Sequence, residues 1–414
     1  MTSNWSLASK PMLATKAPTT VPFLTGSLRP CNVRSNPRRG EMMTEKVRLE
    51  VLTTPSNRDG VRRQIEKTIE TNRTKFDFVM KQVPHMESAI ETLKDGNCDF
   101  LAMSAHQWRD LEHNGLNIIG VLPRREPTWV LVSEDKPEYL QSKAIVVCDH
   151  MLLRRQMRRL RSDLILMTSQ AFAESIGKGE TFAQLDDEDR VPWLEECRQE
   201  EMLDGYIVNR GEHAALKFKA RRHTLGLQRD NPERTHFVPP PLHGFTLLVA
   251  RSGFPSATVQ SMCDQGAFIA HRMEMAFLAS ISEDLHPITG IFVEQRKVAA
   301  ILREANRSKD EHTLESVLDV EQKIKFAGPR LEMRIETLNH HGTVTAAAER
   351  VCLVEESHMG MVNVLKEFQI LLETMQSEHE EIPRTHAGLP EEFSHARGPL
   401  LDLSVVHSDS LEEE

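Results

Sequence analysis

The stretch from Thr92 to Gln107 reads TLKDGNCDFLAMSAHQ. Apolar spacing sets a helix over residues 87–94, and Asp95 and Gly96 close it, because glycine accepts the left-handed conformation of a helix C-cap. DFLAM at 99–103 is too short for a helix and bounded by turn residues, so it reads as a short buried strand. Working outward, VRLEVL at 47–52 alternates apolar and polar as a half-buried strand does. Residues 55–60 break it, 61–71 form a helix and 76–83 a second strand. Further strands fall at 116–122 and 129–133, with a proline-bounded segment between them. AIVVC at 144–148 and residues 164–168 and 205–208 are strands, and 151–160 is a helix. Strands alternating with helices predict a mostly parallel sheet covered on both faces. Residues 243–251 return as a strand and 258–281 are helical. The last part differs: 330–338, a turn at 339–342 and 343–354 read as an antiparallel pair, with a helix at 361–375 packed on it. Residues 306–319 are charged and helical.

At 414 residues the chain suits two or three domains rather than one core. No apolar run approaches the roughly 20 residues of a spanning helix, so no membrane partner is expected. The net charge of -10 argues against nucleic acid. Six cysteines lack a C-x-x-C pair and read as reduced thiols. The 18 histidines lack metal spacing, so no metal is expected; His340 and His341 precede Gly342 in the turn. Residues 1–42 are rich in Ser, Thr, Pro and Arg, with Glu41 the first acidic residue. They read as a disordered or transit-like extension, or as preceding a start at Met42 or Met43. No apolar h-region follows the charges, so a cytoplasmic location is expected, with a plastid or other organelle as the alternative. Residues 376–414 read as an acidic disordered tail.

Four stretches together resemble the porphobilinogen deaminase (hydroxymethylbilane synthase) family: TLKDGNCDFLAMSAHQ at 92–107, GVLPRREPTWVLVS at 120–133, IVVCDHMLLRR at 145–155 and EMAFLASISEDLHPITGIFV at 274–293. The resemblance runs from about Lys46 to Met375. It implies an α/β fold with two periplasmic-binding-protein-like α/β domains, an interdomain cleft and a small α+β third domain. The expected divisions are 43–125 with a return segment at about 236–255, then 126–235, then 256–375.

It also implies a chemistry whose parts can be checked. The family's H-S-x-K-D motif supplies a carboxylate that stabilises an azafulvenium cation. Here Gln107 stands at the Asp position and His106 at the Lys position, so no catalytic residue is assigned. A dipyrromethane primer would hang from a cysteine thioether. The loop from Ser282 to Thr289 has no cysteine, and Cys263 lies a helix away, so no cofactor is expected. Substrate carboxylates would be held by arginines. Arg154 and Arg155 match the family's L-R-R pair, although Arg154, Arg155, Arg158, Arg159 and Arg161 could equally form a solvated basic face. Ser56 and Ser104 match further binding positions. The reading is therefore a divergent member of tetrapyrrole (heme or chlorophyll) biosynthesis context, monomeric, with impaired or lost deaminase activity and a retained anion-binding cleft. Its expected partner is a small anionic molecule such as a pyrrole carboxylate. Two alternatives stay open: an active synthase with relocated catalytic residues, and a cytosolic solute-binding-like protein.

Overall fold

The computed structural model describes residues 46–54, 59–125, 127–227, 229, 236–377 and 399–403. The N-terminal extension, Ser56 and most of the acidic tail lie outside the described residues. The chain opens with β1 (Val47–Thr53), α1 (Val61–Asn72), β2 (Phe76–Gln82), α2 (Met86–Lys94), β3 (Phe100–Ser104), α3 (Ala105–Arg109) and β4 (Leu116–Val121). It continues through β5 (Trp129–Ser133), β6 (Ile145–Val147), α4 (Met151–Leu160), β7 (Ile165–Met167), α5 (Ser169–Ser175), α6 (Gly179–Ala183) and α7 (Asp187–Gln199). Next come β8 (Gly205–Asn209), α8 (Arg210–Leu216), β9 (Arg222–Leu225), β10 (Thr246–Arg251), α9 (Gln265–Ser280) and β11 (Thr289–Arg296). Last are α10 (Val298–Ser308), α11 (Glu311–Val317), β12 (Arg330–Leu338), β13 (Thr345–Leu353) and α12 (Ser357–Gln376).

Three sheets result. The first has the order β2-β1-β3-β10-β4, the second β7-β6-β8-β5-β9 and the third β11-β12-β13. In the first, β1 runs parallel to β2 and β3, while β10 is antiparallel to β3 and β4. In the second, β6 runs parallel to β7 and β8, while β5 is antiparallel to β8 and β9. Each larger sheet is thus mixed rather than mostly parallel. The reversed strand is in each case the one that has just crossed from the other sheet. Two α/β units exchanging one crossing strand each, with a cleft between them, have the periplasmic-binding-protein type of architecture; the third sheet adds a small α+β unit.

Two elements depart from the periodicity. The helix expected over 258–281 starts only at Gln265, where the Asp264 carboxylate accepts from the Ala267 N–H at 2.8 Å, as an N-cap side chain does. Residues ahead of it form two short 3-10 turns, Ser256–Thr258 and Gln260–Met262. The charged helix expected over 306–319 is broken at Lys309, whose φ of 56° ends α10, since a left-handed residue cannot continue a right-handed helix. Within the segment expected to be an acidic tail, residues 399–403 return to the body. The Leu401 N–H donates to the Met375 carbonyl at 2.9 Å, and its side chain is fully buried.

The cores explain how the pieces hold together. One apolar cluster runs from the first sheet (Leu101, Met103, Leu247) through Phe277 of α9 to Ile335 and Phe368 of the third unit. The second sheet has separate clusters on its two faces. Its tie to the third unit is largely polar and comes from α4. This helix, MLLRRQMRRL, turns Leu152, Leu153 and Met157 inward and its arginines toward β12. Arg155 donates to the Leu338 carbonyl at 2.7 Å, Arg158 to the His340 carbonyl at 3.0 Å, and Arg159 to both Glu336 oxygens at 3.1 and 3.2 Å. The basic stripe read in the sequence as a possible solvated face is a docking face.

Candidate functional site: the cleft between the larger sheets

The first and second sheets meet where α1 and α8 begin. The Gly60 φ is 73°, and a Cβ added to Gly211 would lie 3.3 Å from the Gly60 nitrogen and 3.4 Å from its Cα. Arg63 of α1 donates across the gap to the Ala214 carbonyl at 3.2 Å. The crossing segments run side by side beneath, with the Arg125 N–H donating to the Gly244 carbonyl at 3.2 Å. Gly244 has φ 80°, and a Cβ there would meet the Arg125 carbonyl at 2.7 Å. Only glycine takes that conformation and that approach without cost.

These elements enclose a cavity of about 510 Å³. Its cationic lining is Arg63, Lys67, Arg125, Arg210, Lys217 and Arg222, and Asp59 is the single carboxylate among the lining residues. The neutral polar groups on the wall are already occupied. Gln64 donates to the Pro123 carbonyl at 2.8 Å and accepts from the Thr246 hydroxyl at 2.8 Å. Asn209 accepts from the Glu212 N–H at 2.8 Å and donates to the Glu212 carboxylate at 3.1 Å. His213 also lines the cavity, with both ring nitrogens buried and without a hydrogen-bond partner. None of the six cations was singled out by sequence reading. The available signal was the basic run at 210–222, where Arg210, Lys217, Lys219, Arg221 and Arg222 crowd together.

The residues selected from the sequence lie elsewhere around the cleft. Ser104 is the N-cap of α3: its hydroxyl accepts from the Gln107 N–H at 3.3 Å, and the Gln107 side-chain oxygen accepts from the Ser104 N–H at 3.0 Å. Gln107 is thus half of a capping box. Arg154 donates to the carbonyls of Cys148 and Asp149 at 2.9 and 3.3 Å, close to its own helix start. Arg155 points to β12, as described. The segment from Ser282 to Thr289 forms a 3-10 helix over Glu283–Ile288, and the His286 ring contacts the Leu278 carbonyl at 3.1 Å. Cys263 sits before α9 with its thiol on the Val259 carbonyl at 3.2 Å, and burial pushes it up to about 11.

His106, His150 and His243 converge from α3, the start of α4 and the second crossing segment. The Trp129 ring stands between two of them, 5.5 Å from His150 edge-on and 5.3 Å from His243 stacked. Burial, and then mutual repulsion with neighbouring cations, holds His106 and His150 at about 4 and His243 at about 3, because both effects disfavour the charged ring. All three are neutral imidazoles at pH 7. No helix among the described residues is long and apolar enough to cross a membrane.

No family model matches the chain, and no curated protein matches it. Similar solved structures include the periplasmic aliphatic sulphonate binding protein SsuA of Escherichia coli, at 14% identity over 65% of this chain and 73% of that one, with TM-score 0.28. Lipoprotein Tp32 of Treponema pallidum is 13% identical over 57% and 96% of the two chains, with TM-score 0.30. The reduced OxyR regulatory domain of Pseudomonas aeruginosa is 10% identical over 52% and 95%, with TM-score 0.25. These findings correct the expected family. Nothing ties the chain to porphobilinogen deaminase or to tetrapyrrole biosynthesis, and the similar structures carry solute-binding and regulatory names. The four motifs mark strand–turn–helix units of the fold, and Gln107 in them serves a helix cap.

Proposed function

We propose that this chain is a solute-binding protein whose cleft between the two larger sheets takes a small anionic molecule. This is the solute-binding alternative that the sequence left open. One observation carries it: six cationic side chains and one carboxylate surround the cavity, in a chain whose net charge is -10. Excess positive charge gathered in a concave, low-dielectric site against the sign of the whole molecule attracts anions and lowers their exit rate. The cavity size falls within the range that holds small ligands.

Melting temperature tests the reading. Citrate, sulfate and phosphate should each be compared with chloride at matched ionic strength. Binding to the folded state at a hundred times Kd adds about 2.7 kcal/mol of stability. At least one multivalent anion should raise the melting temperature, and the Lys67→Glu/Arg125→Glu double variant should lose that rise. Equal melting in all four salts would sink the proposal.

A further inference from the structure

His213 sits on the fourth position of α8, 3% exposed, and neither ring nitrogen has a hydrogen-bond partner. Its ring meets Phe218 edge-on at 6.4 Å, and both residues line the cavity. Buried polar atoms without partners are uncommon in folded proteins and point to a partner supplied from outside the chain. Arg222 of β9 disfavours its protonation after burial itself does, and Glu195 of α7 favours it. That carboxylate is engaged by Arg198 at 2.8 and 2.9 Å, Gln199 at 3.0 Å and the Tyr206 hydroxyl at 3.0 Å.

A neutral imidazole offers one N–H and one lone pair. The cations around it can only donate. The wall therefore asks for a ligand rich in acceptors, multiply charged, and able to give one proton to the imidazole lone pair. A carboxylate or sulfonate has acceptors but no proton to give at neutral pH. A phosphomonoester has three terminal oxygens, and its second ionisation lies near pH 6, so its monoanion also carries a P–OH donor. Guanidinium groups such as those of Arg63 and Arg222 match phosphate oxygens in forked pairs. Phe218 supplies an apolar wall for whatever the phosphate is attached to.

Resting on the anion-binding reading above, we infer that the cavity is selective for a phosphomonoester, with His213 hydrogen-bonded to its phosphate group. The test is isothermal titration of the full chain with phenyl phosphate, benzoate and benzenesulfonate, which share a ring and differ in the acid. Phenyl phosphate should bind at least ~10-fold more tightly than the other two, the scale of one lost charge-assisted hydrogen bond. His213→Leu should weaken phenyl phosphate by about tenfold and leave benzoate unchanged, while His213→Asn, which keeps a donor and an acceptor, should recover part of the loss. Melting curves of both variants check that the fold is intact; removing an unpartnered imidazole should not lower them. Binding of all three acids with equal strength overturns the phosphate inference and leaves the anion cleft standing. So does a His213→Leu variant that weakens the three alike. Absence of binding by all three overturns the inference together with the reading on which it rests.

Discussion

Arg124 and Glu274 lie 150 residues apart in sequence and form a two-pronged ion pair, at 2.8 and 3.2 Å, inside the protein. The pair joins both crossing segments to the third unit. Glu274 also accepts from the N–H groups of Leu242 and Val293 at 2.7 and 2.9 Å, and Arg124 donates to the carbonyls of His243 and Val293. The guanidinium lies 3.9 Å from the centre of the Phe245 ring. Burial works against charge on both partners, pulling Arg124 down and Glu274 up; their attraction and the backbone donors oppose it. Truncating either partner strands a charge in the interior. Glu274→Ala should cost about 3–5 kcal/mol of unfolding free energy, and Arg124→Met/Glu274→Leu distinctly less than the two single changes combined. Urea denaturation of the three variants measures this. Additive losses would mean the two groups act independently.

The histidine trio sets an acid limit. Each has its folded pKa lowered, to about 4 for His106 and His150 and about 3 for His243, against an ordinary 6.5. The unfolded chain binds these protons first as pH falls. Stability from the neutral rings is therefore full above 6.5 and is lost as pH drops toward 4. Glu336 acts lower down. Burial would raise it, but His236 and Arg159 outweigh burial and hold it at about 2 against 4.5, so its contribution goes only below 4.5. Melting temperature should thus already fall between pH 6.5 and 4.5, and His150→Phe should flatten that slope. A flat profile down to pH 4.5 in the unaltered protein would contradict the trio's role.

The turn of the β12–β13 hairpin is seated on α4. Gly342 has φ 70°, and a Cβ there would collide with the Arg155 carbonyl oxygen and the Arg159 backbone nitrogen, neither of which can swing away. Gly342→Ala should destabilise the protein by at least ~1–2 kcal/mol from the left-handed backbone alone, plus the clash. Gly115, also left-handed at φ 78° but with nothing within 4 Å of its added Cβ, provides the control: Gly115→Ala should carry the backbone part only. Equal losses at the two positions would show that the seating does not matter.

Much of the fold is readable locally. Residues 151–160 announce α4 by spacing alone, and 330–338 with its turn announces the third unit's hairpin, because these elements are set by neighbours a few residues away. What the arginines of α4 are for is not readable, since Arg155 meets Leu338 across 183 residues of sequence. The start of α9 could have been placed correctly: Asp264 three residues before Ala267 is an N-cap signal, overlooked because the apolar residues ahead of it keep helical spacing. The cavity is harder. Arg63 and Lys67, Arg125, and the 210–222 run belong to three distant segments that the two crossings bring together. A short motif such as the one ending in Gln107 reports a strand, a turn and a cap, and those recur in α/β proteins of many functions.

Two pairs of cations separate structure from binding. Arg154 and Arg155 are 4% and 0% exposed, and their bonds go to backbone carbonyls, one of them in another sheet. Lys67 and Arg125 are exposed and line the cavity. Arg154→Ala/Arg155→Ala leaves buried carbonyls short of a charged donor and should lower stability by about 3 kcal/mol or more. Lys67→Ala/Arg125→Ala removes exposed groups and should change stability by no more than about 0.5 kcal/mol. Anion binding should respond in the opposite sense. The Lys67/Arg125 variant should lose at least about tenfold in affinity for phenyl phosphate, a loss that shrinks as salt screens the exposed charges. The Arg154/Arg155 variant, at a temperature where it is still folded, should bind nearly as the unaltered protein does. Titration calorimetry and urea unfolding on the same two proteins give all four numbers. A binding loss confined to Arg154→Ala/Arg155→Ala would move the anion to the start of α4 and away from the cavity between α1 and α8.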